Sequence, residues 1–570
     1  MSLLATLQGR LAEALVQAEI DPSLAVVTPA ADSRFGDYQT NAAMVAAKAL
    51  RKNPREVAAR ILSNLQVDDL SEPPQVAGAG FINFKILDAA LAEAVNIVSR
   101  DPRLGVRREA DPKTILIDFS SPNVAKPMHV GHIRSTILGD SLARIARHLG
   151  HHVITDNHVG DWGTQFGKVI YGWKHFLDAG ELERAPIAEL VRLYREVNAL
   201  EEHDPAVKEA VRGELVKLQQ GDQENLTIWN QAVSLSWKEF ERLYGLLGVE
   251  FDERLGESFY NDALEPLVER LLAGGIAEKS EGAVCIFFRD IPSLEEKPSL
   301  IRKSDGGYLY STTDLATLEY RQTRWKPDAI WYVTGAPQQL HFEQVFAAAR
   351  RLGITADLRH VAFGSILGED RKMMKTRSGE NVELGGLLQE AMDRAFSVVA
   401  QKSPEMPPSE QKEVARVIGL GAVKYADLMQ HRMTDYVFSW EKMLSFQGNT
   451  APYLQNAFVR IRSIFRKAAE SDLPVNQSSI AIHDPAERAL ALQILQFSEV
   501  LHAVLEDQRP NLLCLYLYDL ADRFHRFYEE CPVLKSEGQI RSSRLALAEV
   551  TAKVLETGLS LLGISVPERM

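Results

Sequence analysis

The chain is poor in cysteine, with only Cys285, Cys514 and Cys531 among 570 residues, far apart and without pair spacing. That excludes a disulfide framework and a cysteine-rich zinc site, and it fits a reducing, cytoplasmic setting. It contains no run of about twenty apolar residues, so no membrane span is expected. Its first residues, Met1-Ser2-Leu3-Leu4-Ala5-Thr6-Leu7, lack the basic stretch and long apolar core of a secretory signal. Repeats and low-complexity tracts are missing too. Positive charge falls short of negative, 64 Lys and Arg against 77 Asp and Glu, for a net charge of −13. That balance counts mildly against nucleic acid, which needs clustered cations. A large protein can still carry one basic face on an acidic body, so charge leaves the question open.

What is present is ordinary globular composition, 45% hydrophobic and 25% charged, in a chain too long for one core. Residues 1–110 read as an α+β unit. Leu3, Leu7, Leu11 and Leu15 mark an amphipathic helix, and an alternating strand begins at Phe81. A charged connection with two prolines, 100–112, follows.

The central stretch begins with the apolar run Thr114-Ile115-Leu116-Ile117, a buried strand, and passes through a turn-rich loop to His129-Val130-Gly131-His132. Helical periodicity then takes over from Ile133. Strand, loop and helix start place free backbone N–H groups where a phosphate can sit. His129 and His132, three apart, share one face in a helical first turn, and Gly131 lets a flat ring or a phosphate approach the backbone. A metal reading of the two histidines fails for want of a third ligand at sensible spacing.

A second strand is expected at 151–158 and a glycine-rich loop at 160–167, completing a βαβ unit with a parallel sheet. Residues from about 171 to 247 read as helical and charged, an insertion between two halves of one sheet. Strand patterns resume at 282–288 and 307–311, then at Ala329-Ile330-Trp331-Tyr332-Val333 and His360-Val361-Ala362-Phe363-Gly364. The loop after the last concentrates Arg371, Lys372, Lys375 and Arg377 between glycines, cations that suit a triphosphate under attack. Three prolines in 401–411 mark a linker, and from Lys412 onward only helices are expected.

His129-Val130-Gly131-His132 resembles the HIGH motif of class I aminoacyl-tRNA synthetases, and Lys372-Met373-Met374-Lys375-Thr376 resembles their KMSKS loop, with Met374 and Thr376 replacing its serines. The segments 119–128, 159–167 and 448–455 are similar to arginyl-tRNA synthetase in particular, so the resemblance covers nearly the whole chain. It implies a Rossmann-like α/β catalytic domain with a parallel sheet, an N-terminal α+β domain and a C-terminal all-α bundle. The expected bounds are 1–110, 111–400 with an insertion at about 171–265, and 405–570.

The implied activity is ATP-dependent formation of arginyl-adenylate, with Mg2+ bound to the nucleotide, and transfer to the terminal 2′-OH of arginine tRNA. For ATP it implies His129, Gly131, His132, Lys372 and Lys375, with Lys126 reaching phosphate from the same loop. For arginine it implies Asp118, Ser120, Asn123, Tyr310, Asp314 and Gln338. Tyr310 and Asp314 lie one helical turn apart and face one cavity. Asp118 as a structural carboxylate and Gln338 as a mere loop support stay open, and His341 reads as structural. For tRNA it implies Tyr453, Arg460 and Arg462 in the bundle, with Phe81 and Asn83 at the tRNA outer corner, although solvated helix faces and a buried aromatic anchor would explain these residues too. The alternatives are a class I enzyme for another amino acid and a non-catalytic RNA-binding paralogue. The chain is expected to be monomeric, cytoplasmic and free of membrane, and to need tRNA for activation.

Overall fold

The computed structural model describes residues 3–30, 32–374, 382–470 and 479–570. The N-terminal unit packs the helices Leu3–Gln17, Ala42–Leu50, Pro54–Leu62 and Asp88–Arg100 against a four-stranded antiparallel sheet. Leu3, Leu7, Leu11 and Leu15, on one stripe of the first helix, are all buried.

The central unit is built on a parallel sheet. Strand β1 (Thr114–Phe119) leads through the loop into helix α1 (Val130–Leu149) and strand β2 (His152–Asp156). A long helical region then ends with helix α2 (Gln223–Leu247). Helix α3 (Tyr310–Arg324), strand β3 (Ala329–Val333), helix α4 (Gln339–Arg351) and strand β4 (Asp357–His360) complete the core. The spatial order is β4-β3-β1-β2, all parallel, with Asp118 level with Asp156 on one side and Tyr332 on the other. β1 and β3 are apolar throughout their middles because helices cover both faces of the sheet. Helix α1 lies so close on the sheet that a Cβ at Gly139 would fall 2.2 Å from the Phe119 ring, which is why a glycine sits there.

Two expectations are corrected. Residues 307–311 form no strand. Helix α3 begins at Tyr310, and the third strand of the antiparallel Glu278–Ser280, Ala283–Ile286 sheet is Ser299–Arg302. Alternation over so few residues does not separate a strand from the extended approach to a helix. Nor is the region after Lys412 wholly helical. Tyr436–Val437 pairs in parallel with Ile366–Leu367, joining the C-terminal region to the central unit. The remaining C-terminal elements are helices, among them Pro408–Leu428, Ala451–Glu470, Asn511–Glu530 and Gly538–Leu561. The N- and C-terminal units are stitched by Arg488 to Asp37 and Asp88, and by Asn96 to the backbone of Ile480.

Candidate active site

From β1 the chain moves to β2 on one side and later returns to β3 on the other. This reversal opens a crevice beyond the carboxyl ends of β1 and β3. The β1–α1 loop forms one wall and carries unusual backbone strain. Ser120, Ser121 and Ala125 all have positive φ, at 73°, 45° and 60°. Such conformations persist only where surroundings over-determine them. Here Ser135 Oγ accepts from Ser120 N, Asn157 Oδ1 from Ser121 N and Ser236 Oγ from Ala125 N. Gly160 pairs its backbone with the loop at Asn123, and a Cβ there would fall 2.3 Å from Asn123 Oδ1.

His129 caps helix α1. Its Nδ1 accepts from Gly131 N at 3.1 Å, and His132 Nδ1 accepts from His129 N at 3.1 Å, a reciprocal capping box made from two histidines. A neutral imidazole has one N–H, so with both Nδ1 atoms accepting, each ring carries its proton on Nε2. Burial pushes His132 down to about 3, helped by the neighbouring His129, and lowers His129 as well. Both rings are therefore neutral donors at physiological pH. Their centroids are 3.9 Å apart, and a Cβ at Gly131 would fall 2.9 Å from the His129 ring. Immediately C-terminal to the basic loop, Val382 and Leu384 bond the backbone of Val130 and Met128, so one end of that loop is fastened to the histidine turn.

The opposite wall is acidic. Asp314 Oδ2 lies 2.6 Å from His341 Nε2. Glu257 is pushed up to about 7, mostly by burial, with His158 opposing and Asp314 and Asp161 adding to the rise. Tyr310, on the same helix as Asp314, is raised by burial and by Glu257. Glu257, Tyr310 and Asp314 thus share one field, in which an incoming cation would meet two carboxylates. Sequence reasoning missed Glu257. Its placement comes from the 160–167 loop: Asp161 accepts from Ser258 N at 2.8 Å and Ser258 Oγ at 2.7 Å, and Glu257 N donates to Val159 O. The single available signal was a carboxylate between Gly256 and Ser258, too short to read.

Other expected residues divide. Asn123 and Gln338 are exposed at the crevice loops, and Tyr310 is 66% exposed. Asp118 stands at the end of β1, and its carboxylate already has partners within the chain. Oδ2 pairs at 2.5 Å with the fully buried Arg321, which also holds Asp156, and Oδ1 accepts from Ser121 Oγ. A buried guanidinium between two carboxylates is a structural arrangement. Ser120 is buried, and its hydroxyl bonds Tyr244 and Thr136. Lys126 Nζ sits 5.1 Å from the Tyr194 ring centroid, over the helical insertion. Lys372 is exposed, while Lys375, Thr376 and Arg377 lie outside the described residues. Among the described residues, no group of three or more His, Cys, Asp or Glu is arranged to hold a metal ion.

In the bundle, Arg460 lies 5.6 Å from the Tyr528 ring centroid beside His525, and Tyr453 packs on Tyr518 and His525. Arg462 pairs with Glu549 at 2.9 Å, so its charge is already matched. A cleft of about 820 Å³ opens next to Arg460; its lining holds the further cations Arg466, Lys467, Lys535 and Arg569, the last two unnoticed in the sequence, against the carboxylates Glu405, Glu410 and Glu529. In the N-terminal sheet Phe81 is half-buried, whereas Asn83 is 4% exposed.

Three family models match the chain: "tRNA synthetases class I (R), catalytic domain" over residues 93–440, "Arginyl tRNA synthetase N terminal domain" over 5–86, and "DALR anticodon binding domain" over 454–570. The arginine–tRNA ligase of Hahella chejuensis is 43% identical, with all of both chains covered. Among solved structures, the arginyl-tRNA synthetase of Plasmodium falciparum superposes with a TM-score of 0.84 at 30% identity, over 100% of this chain and 99% of that one. That of Thermus thermophilus gives 0.84 at 26% identity, over 99% and 100%.

Proposed function

Because the chain belongs to the class I arginyl-tRNA synthetases, we propose that the crevice beyond β1 and β3 makes arginyl-adenylate, with ATP at the histidine wall and arginine at the acidic wall. The chain is an arginine–tRNA ligase: it charges arginine tRNA, with arginine and ATP as its other substrates. The observation that carries the site assignment is the convergence of Glu257, Tyr310 and Asp314 opposite two neutral histidines that donate from Nε2.

A guanidinium is planar, always charged and rich in donors, so two carboxylates and a phenol suit it, and His341 orients one of the carboxylates. Asn123 and Gln338 take the α-amino and carboxylate end. The arginine carboxylate is already a nucleophile. It attacks the α-phosphorus in line, a new C–O–P bond forms, the bond to the bridging oxygen breaks and pyrophosphate departs. No proton moves in that step, so the protein contributes positioning and charge stabilisation. His129 and His132 donate to the nucleotide, Gly131 admits it to the helix start, and Lys372 and Lys126 neutralise phosphate. Mg2+ comes with the nucleotide and neutralises the triphosphate when bound. In the second step the terminal 2′-OH of the tRNA attacks the acyl carbon, the bond from that carbon to the phosphate oxygen breaks, AMP leaves, and the hydroxyl proton passes to the departing phosphate or to water.

The proposed tRNA surfaces are the cationic cleft at Arg460 with Tyr453 for the anticodon loop, and the half-buried Phe81 for the outer corner. We propose the unit bounds 1–110, 111–400 and 405–570, a monomer, and a cytoplasmic setting; among the described residues no single helix is long and apolar enough to cross a membrane. The test is ATP–pyrophosphate exchange. Exchange is expected with arginine, and only when arginine tRNA is present. Exchange with another amino acid, or with none, overturns the reading.

A further inference from the structure

Two residues past His132, helix α1 carries Arg134. At about 100° per residue it points roughly away from the ligand side of the helix. Its guanidinium is almost wholly buried. Nε lies 2.8 Å from Asp427 Oδ1, in a pair whose side chains are 3% and 4% exposed, and Nη1 donates to Thr434 O at 3.2 Å. The rings of Tyr436 and Phe363 flank it, with centroids 5.3 and 5.8 Å away. Tyr436 is buried beside this pair, and its hydroxyl and Arg134 both act against the rise that burial imposes on the Asp427 carboxylate.

Each partner belongs to a different part of the molecule. Asp427 ends the helix Pro408–Leu428, whose Tyr425 hydroxyl bonds Asn449 and the Cys514 carbonyl in the C-terminal bundle. Tyr436 pairs with Ile366 and donates its N–H to Ser365 O. From that short strand the backbone bonds run directly to the basic loop: Gly368 N to Lys372 O at 2.8 Å, Met374 N to Ile366 O at 3.3 Å, and Leu367 bridged to Met373. Gly364 permits the approach, since a Cβ there would fall 2.6 Å from Asp435 Oδ1 and 2.9 Å from Met433 O.

We infer that Arg134, Asp427 and Tyr436 are positioning residues for adenylate formation, a buried clamp that sets the distance between the histidine turn and Lys372 and ties both to the C-terminal bundle. A buried ion pair contributes little net stability, but its geometry tolerates few alternatives because an unpaired partner is costly. The two halves of the nucleotide site lie far apart in sequence, and this clamp connects the helix of one to the strand that leads into the other. None of the three residues touches substrate.

The inference rests on the assignment of Lys372 to phosphate, and a double-mutant cycle separates the two. Tyr436→Phe removes a single hydroxyl. In ATP–pyrophosphate exchange with the full chain and arginine tRNA, it should lower kcat about tenfold, with the KM for arginine moving less than about twofold. In a Lys372→Ala background the same substitution should change kcat less than about twofold, because the group it positions is gone. Equal losses in both backgrounds, or no loss in the native one, overturn the clamp. Should Tyr436→Phe unfold the chain, as seen by circular dichroism, Arg134→Lys, which keeps the charge but not the planar fork, is carried through the same cycle with the same criteria. If Lys372→Ala alone leaves kcat unchanged, it is the phosphate assignment that falls.

Discussion

The two walls of the crevice respond to burial in the same direction and use the result in opposite ways. At the histidine wall, burial removes positive charge from His129 and His132, although the ligand proposed there is a polyanion. The capping box explains the choice. Each ring accepts a backbone N–H at Nδ1, so a neutral ring completes the helix start and keeps one directed donor at Nε2. Charge is supplied instead by lysines on a separate loop. At the acidic wall, burial and mutual repulsion hold Glu257 partly protonated until a cation arrives, so that site gains its full charge only with its ligand. One wall is built for direction and the other for charge.

Loss of a directed donor should be the most damaging change. His132→Ala is expected to lower kcat about 100-fold or more, leaving the KM for arginine nearly unchanged. A matching rise in that KM would erase the distinction between the walls. Asp314→Asn should raise the KM for arginine roughly 100-fold while that for ATP stays within about threefold, as expected when a charge-assisted contact is lost. Steady-state kinetics with each substrate varied decides it, and an equal effect on both would remove Asp314 from the pocket.

The acidic wall also predicts a pH dependence. The protonated form of Glu257 dominates below its value of about 7, so kcat/KM for arginine should fall as pH drops through that value and recover above it. Glu257→Gln should lower kcat/KM at pH 8 about tenfold and flatten this limb. A limb of unchanged position in the variant would assign it elsewhere; burial holds both His129 and His132 below the usual imidazole range, His132 down to about 3. The smallest effect belongs to His341→Ala, which removes only the group orienting Asp314. A KM for arginine about threefold higher is expected, in line with one hydrogen bond, and no change would leave Asp314 held by the fold alone.

Much of the architecture was legible because it depends on neighbours in sequence. The apolar strand at 114–117, the histidine turn with Gly131 and the periodicity after Ile133 specify strand, cap and helix within a few residues of one another. Tyr310 and Asp314 share the first turn of one helix, a pairing that the family resemblance implied although the alternation at 307–311 read as a strand. The family resemblance rests on the same local stretches. What only the tertiary structure decided is which polar groups remain free. Arg321 meets Asp118 from 203 residues away, and Tyr244 meets Ser120 from 124 residues away. Asn83 sits on the inward face of its strand, Arg462 meets Glu549, and Glu257 is brought to Asp314 by a loop anchored on Asp161. The physical reason is common to all of these: a residue's type and local conformation are set by its neighbours along the chain, whereas burial and partnership are set by topology, which brings together groups that no local pattern connects.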